Sequence, residues 1–315
     1  MRIPQWNDVL NAHERIRPWI KCTPVLTCRG LNRITGSDIF FKCENFQKVG
    51  AFKFRGATNA VLSLDDASAE KGVATHSSGN HAAALALAAK NRGLRAYIVM
   101  PETAPGVKRE AVAGYGAEIT FCEPTLEARE STLEQVVSET GAVFIHPYNN
   151  FDVICGQATA ARELLEESGP LDIVMVPVGG GGLLSGTAIT VKHMSPRTRV
   201  IAAEPENADD AYRSFKTGVL QPPLKPNTVA DGLLTALGPL TFRIITDKVD
   251  DILCAGESDI INAMRLIWER MKIIVEPSSA VPLAVMLRNK SIFSGKRTGI
   301  ILTGGNVDLG RLPFK

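Results

Sequence analysis

No apolar run in this chain of 315 residues is long enough to cross a bilayer. The longest stretches, such as AAALALAA, fall far short of the roughly 20 residues that a spanning helix needs. The opening MRIPQWNDVL has no apolar signal core, so the expected location is the cytoplasm. No block of like charges occurs and the net charge is +2, which argues against nucleic acid or a membrane surface as a partner. The six cysteines, at 22, 28, 43, 122, 155 and 254, form no C-x-x-C pair. A chain of this size needs no disulfide staples, so they read as buried free thiols in a reducing compartment. Internal repeats and low-complexity segments are absent.

What is present is an ordinary globular composition, 45% apolar and 22% charged, in a chain long enough for two domains. Strand-like and helix-like stretches alternate. Strands are expected at 38–44, 73–76, 96–100, 117–122, 171–178, 199–205 and 299–305. Helices are expected after Lys53, over 80–91, after Pro105, through LEARESTLEQVVSE, through LLSGTAITVKHM and over 258–271. This alternation predicts an α/β fold with mostly parallel sheets flanked by helices. A long irregular connection is expected at 218–239, and the alternation breaks near HPYNNFD (146–152), where a domain boundary is expected.

Four stretches carry chemistry. In GAFKFRGATNA, Lys53 lies between two phenylalanines, where a cation is costly unless it is kept neutral for use as a nucleophile or base. In VPVGGGGLLSG, Gly179, Gly180, Gly181 and Gly182 stand between a buried strand and a helix, where free N–H groups suit a phosphate. In HSSGNHAAALALAAK, Ser77, Ser78 and Asn80 open an alanine-rich helix, a setting for a carboxylate. His81 alone reads as a structural histidine. In ILTGGNVDL, Thr303 stands at the carboxyl end of a strand, where ligands of α/β proteins lie. A dinucleotide site is a rival, with Gly180-x-Gly182 and Glu204 at suitable spacing. It suffers from Ser185 in place of the last small residue and leaves Lys53 unexplained.

One ligand, pyridoxal phosphate, would use all four. The motifs FQKVGAFKFRGA, SSGNHA, PVGGGG and TGGNVDL, in this order, resemble the fold-type II pyridoxal-phosphate enzymes, most closely the serine racemase and serine/threonine dehydratase family. The resemblance covers essentially the whole chain. It implies a large cofactor-binding domain from 1–71 and 150–315 and a small, mobile domain from 72–149. It implies that Lys53 holds the cofactor as a Schiff base, Phe52 packs on the ring, Asn80 bonds the ring hydroxyl, and Gly179–Gly182 take the phosphate. Thr303 would stand beside the pyridine nitrogen. Ser77, Ser78, Asn80 and His81 would grip the substrate carboxylate, with Arg129 nearby. Ser78 is the residue type that serine racemases carry as a second acid/base, where many dehydratases have alanine.

The segment AAEPENADDAY resembles a divalent-metal site, with Glu204, the Ala208 carbonyl and Asp210 as ligands for Mg²⁺ or Ca²⁺. Val49, Ala83 and Tyr148 depart from common family residues beside the substrate or a nucleotide site. The function implied is a dehydratase that converts a small β-hydroxy amino acid (serine, threonine or 3-hydroxyaspartate) to a 2-oxo acid and ammonia, in a homodimer. The alternative is a serine racemase with dehydratase side activity. The more distant alternatives are an NAD-dependent oxidoreductase and a non-catalytic binding homologue.

Overall fold

The computed structural model describes residues 2–314 apart from Ser78 and Pro105. Among the described residues ten strands form two sheets. They are β1 (Val25–Leu26), β2 (Asp38–Cys43), β3 (Val73–His76), β4 (Ala96–Pro101), β5 (Glu118–Cys122), β6 (Val143–Phe144), β7 (Ile173–Pro177), β8 (Arg199–Pro205), β9 (Asp251–Ala255) and β10 (Arg297–Leu302). The six-stranded sheet has the order β1-β2-β10-β7-β8-β9, and the four-stranded sheet β5-β4-β3-β6. All pairings are parallel except that of β1 with β2.

A parallel sheet needs crossovers, and the helices that make them cover both faces. Side chains alternate accordingly along the buried strands. Ile173, Met175, Ile201 and Ile300 join the helices Glu257–Met271 and Pro277–Arg288 in one core cluster. Val174, Val176, Val200 and Ile301 face the helices Phe151–Ser168 and Gly182–Met194 in another. In the smaller sheet, Val73, Ile98 and Met100 pack on the alanine-rich helix Asn80–Arg92. Its run of small side chains lets that helix lie close to the sheet.

The fold class agrees with the sequence reading, with local corrections. The late strand ends at Leu302, so Thr303 begins the turn that follows. Helix Pro239–Lys248 starts where the irregular stretch 218–239 was expected to end, and a short 3-10 turn, Asp231–Leu233, interrupts that stretch. The expectation of buried thiols holds for Cys43, Cys122 and Cys155. Cys22 is exposed, and Cys28 and Cys254 are partly so. Among the described residues no helix is long and apolar enough to cross a membrane.

Candidate active site

Three neighbouring strands of the large sheet, β2, β10 and β7, send their carboxyl ends to one place. From β2 the chain runs through a loop to Lys53, from β10 to Thr303, and from β7 to the glycines. Carboxyl ends of adjacent parallel strands are the usual ligand site of such sheets. The loops are stitched together: Phe52 N–H donates to Thr303 O (2.9 Å) and Gly305 N–H to Gly50 O (2.9 Å). The β3 and β6 ends of the small sheet lead to Ser77–Asn80 and to His146–Tyr148.

Lys53 is the first residue of helix Lys53–Ser63. Its side chain is half-buried. Nζ donates to Pro147 O at 3.0 Å and lies 5.2 Å from the Phe52 ring centre. Burial lowers its pKa to about 8, against a smaller opposing pull from Glu276.

The glycine loop is built to carry no side chains. A Cβ on Gly180 would fall 2.3 Å from the Tyr148 ring, and one on Gly182 3.0 Å from Tyr148 Cα. Gly181 has φ +84°, which strains any other residue. The N–H groups of Gly179 to Gly182 find no acceptor among the described residues, and they sit at the start of helix Gly182–Met194. Free N–H groups at a positive helix end fit a phosphate.

Thr303 is buried, its hydroxyl 2.9 Å from Ser279 Oγ, which also bonds Gly304 N–H and O. Asn80 Nδ2 donates to both oxygens of Glu276 (3.1 and 3.0 Å), and its Oδ1 accepts from Asn306 Nδ2 (2.9 Å). Glu276 was missed in the sequence. It is buried, its pKa raised to about 7, chiefly by burial and then by Asp231. The available signal was an acid directly before proline at a helix start, in VEPSSA. Ser279 and Asn306 also escaped notice. Beside Asn80 a cleft of about 610 Å³ opens, lined in part by Gly79, Lys108, Asp231, Asn306 and Arg311. The Lys108–Asp231 ion pair joins the small sheet's side to the large one.

Ser77 Oγ accepts from Gly79 N–H at 3.3 Å. Ser78 lies outside the described residues. His81 is buried with Nε2 on Ile145 O (3.2 Å), and its Nδ1 is buried without a partner among the described residues. Burial holds it well below the usual histidine range, and so neutral. Arg129 is half-buried, with Nε on Thr125 O (3.2 Å). Its charge reaches His76, adding to the burial that lowers that ring's pKa. His76, Phe144, His146 and Tyr148 form a row of ring contacts leading to the glycine loop. His146 Nδ1 accepts from Tyr148 and Asn149 N–H, which places the ring proton on Nε2.

Glu204, the last residue but one of β8, is buried, its oxygens accepting from Ala211 N–H (2.9 Å) and Tyr212 N–H (2.7 Å). Burial pushes Glu204 up to about 9 and nearby Asp210 up to about 6. Asp210 Oδ2 is buried without a partner.

The family model described as "Pyridoxal-phosphate dependent enzyme" matches residues 16–304. The chain is 56% identical over its whole length, and over all of the relative, to a β-hydroxyaspartate dehydratase of Paracoccus denitrificans. It is 52% identical to a serine racemase of Dictyostelium discoideum, over 97% of this chain and 95% of the relative. Among solved structures, maize serine racemase matches with a TM-score of 0.96 and 45% identity, over 98% of this chain and 95% of the other.

Proposed function

Because the chain belongs to the pyridoxal-phosphate-dependent enzymes, we propose that it is a dehydratase, an ammonia-lyase that converts a β-hydroxy amino acid to a 2-oxo acid and ammonia. The observation that carries the reading is Lys53: a half-buried lysine with its pKa lowered to about 8, held on Pro147 O in the loop region that follows the carboxyl ends of β2 and β10. Full-length similarity to a β-hydroxyaspartate dehydratase supports 3-hydroxyaspartate ahead of serine and threonine.

The residues fit the cofactor. Gly179–Gly182 would hold its phosphate, Phe52 its ring face, Asn80 its ring hydroxyl, and Thr303, steadied by Ser279, its ring nitrogen. A hydroxyl at that nitrogen leaves it less protonated than a carboxylate would. Bound pyridoxal phosphate supplies an electron sink for the charge left at the substrate Cα. Lys53 Nζ takes the α-proton, which its lowered pKa permits near neutral pH. The N–H groups at the start of helix Asn80–Arg92, with Ser77, bind the α-carboxylate. Arg129 takes the second carboxylate of 3-hydroxyaspartate. A panel of L- and D-serine, threonine and the 3-hydroxyaspartates, with 2-oxo acid detection, tests the proposal. No 2-oxo acid from any of them would sink it.

Arg129→Gln is expected to raise KM for 3-hydroxyaspartate by about tenfold to a hundredfold, the usual range for a lost charged hydrogen bond, and to leave serine almost unaffected. Equal effects on both substrates would remove Arg129 from the second-carboxylate site.

A racemase reading rests on Ser78 in the sequence and on the similarity to serine racemase. The ratio of D-serine to pyruvate formed from L-serine, before and after Ser78→Ala, separates it from the dehydratase reading.

A divalent cation, Mg²⁺ or Ca²⁺, is proposed at Glu204, Asp210 and the Ala208 carbonyl. The unpartnered Asp210 oxygen and two crowded buried acids support it. At a hundredfold excess over Kd the cation should raise Tm by about 5 °C. Asp210→Asn should abolish that rise. An equal rise in D210N would place the cation elsewhere. A homodimer, the usual state of the family, is proposed for the assembly.

A further inference from the structure

Directly behind Lys53, four charged side chains are closed off from water. Lys42, Glu44 and Arg55 have no exposed surface, and Glu163 is 6% exposed. Arg55 is clasped by two carboxylates. Its Nε donates to Glu44 Oε2 (2.7 Å) and Nη2 to Glu44 Oε1 (2.8 Å). Nη1 and Nη2 donate to the two oxygens of Glu163, each at 2.7 Å. Lys42 Nζ completes the cluster at 2.6 Å from Glu163 Oε2. Two cations meet two anions, so the cluster is neutral and nearly every donor is used.

Such a cluster is a poor source of stability, because desolvating the ions costs about as much as their attraction returns. Its geometry gives it another use. Lys42 comes from the end of β2, Glu44 from the 3-10 turn directly after it, Arg55 from the Lys53 helix, and Glu163 from helix Phe151–Ser168. The two helices also touch backbone to backbone. A Cβ on Gly156 would lie 2.6 Å from Arg55 O, and one on Gly56 2.7 Å from Val153 O. Gly56 N–H donates to Gln157 Oε1 at 3.1 Å. The carbonyl that holds the Lys53 amine belongs to Pro147, four residues before that second helix begins. Both ends of the Lys53–Pro147 hydrogen bond therefore hang from helices that the cluster locks together.

We infer that the Lys42–Glu44–Arg55–Glu163 cluster is a positioning device for Lys53, setting where its amine sits against the Pro147 carbonyl. The inference rests on the reading of Lys53 as the working amine. A planar fork holding two carboxylates fixes rotation as well as distance, which a point charge does not. Arg55→Lys thus keeps the charge and loses the fork.

The test is the rate at which an amine reagent labels Lys53 across pH, read by mass spectrometry on the full-length chain with cofactor removed, together with kcat and KM of the loaded enzyme. In the parent protein the labelling midpoint should fall near 8. Arg55→Lys lets the amine reach water, so the midpoint should rise by about one unit toward the ordinary lysine value. The titratable groups facing Lys53, namely Glu276, His81 and His146, are unchanged in this variant. kcat should fall by about a hundredfold, the cost of a misplaced reacting group, with KM nearly constant.

Gly156→Ala, which wedges the helices apart and keeps all four charges, should shift the midpoint in the same direction. It also keeps the test decisive if Arg55→Lys fails to fold. A lower Tm with unchanged midpoint and kcat overturns the inference and leaves the cluster a purely structural one. A shift in G156A without one in a folded R55K overturns it too, because contact rather than charge would then place the lysine. Failure of the underlying reading looks different: Lys53→Ala would retain turnover whatever the cluster variants do.

Discussion

Lys53→Ala lowers kcat by at least about 10⁴-fold, the upper range for loss of a positioned proton-transfer group, and leaves the fold intact. The first half follows from position. The Lys53 amine lies where the carboxyl ends of three adjacent strands converge, and burial lowers its pKa to about 8. An ordinary lysine at neutral pH is almost wholly charged and carries no free pair for a proton. Burial makes this one usable. The second half follows from the same cost, since a nitrogen that folding pushes toward neutrality is no net support for the folded state.

The sign is fixed by the depressed value. The folded chain binds fewer protons than the unfolded chain between about 8 and the ordinary lysine value, so this group makes stability rise with pH across that window. In K53A that rise should disappear and Tm at pH 7 should stay level or increase. Lys53→Arg should not restore turnover, because a guanidinium is never neutral in this range. Product formation and Tm on the same samples check both halves. Full turnover in K53A would overturn the mechanism.

Gly180→Ala should weaken cofactor binding by about tenfold to a hundredfold, the range set by overpacking a close contact. The added methyl has nowhere to go, with the Tyr148 ring 2.3 Å from its position. Either Tyr148 or the loop moves. If the loop moves, the four N–H groups no longer converge on the phosphate. Titration of the cofactor's visible absorption against the protein measures the loss. Adding Tyr148→Ala should recover part of the affinity by making room for the methyl. No recovery in the double variant would mean that Gly180 matters for its conformation instead of its clearance.

Much of the site could be read in local patterns because those patterns are set by neighbours in the chain. The glycine loop, the polar entrance to helix Asn80–Arg92 and the threonine at the end of β10 each follow from a strand or helix end a few residues away. Glu276 was not legible in that way. It meets Asn80 across 196 positions of sequence, and nothing in VEPSSA by itself says that the acid will be buried. The role of His81 was half legible. A histidine at a helix start could face the ligand or the core, and the packing of the small sheet turned its ring to Ile145.

The sequence by itself determined the alternation of strands and helices and the family motifs, and it singled out Lys53 as the candidate amine. These rest on periodicity, backbone freedom and side-chain chemistry, which act over short stretches. The tertiary structure alone decided that Arg55, two residues from Lys53, is clasped by Glu44 and by Glu163, 108 positions away. It also decided that Gly56 and Gly156 bring two backbones into contact. Burial and pairing of charge depend on what folding brings alongside, and a lysine becomes a base only once its surroundings exclude water.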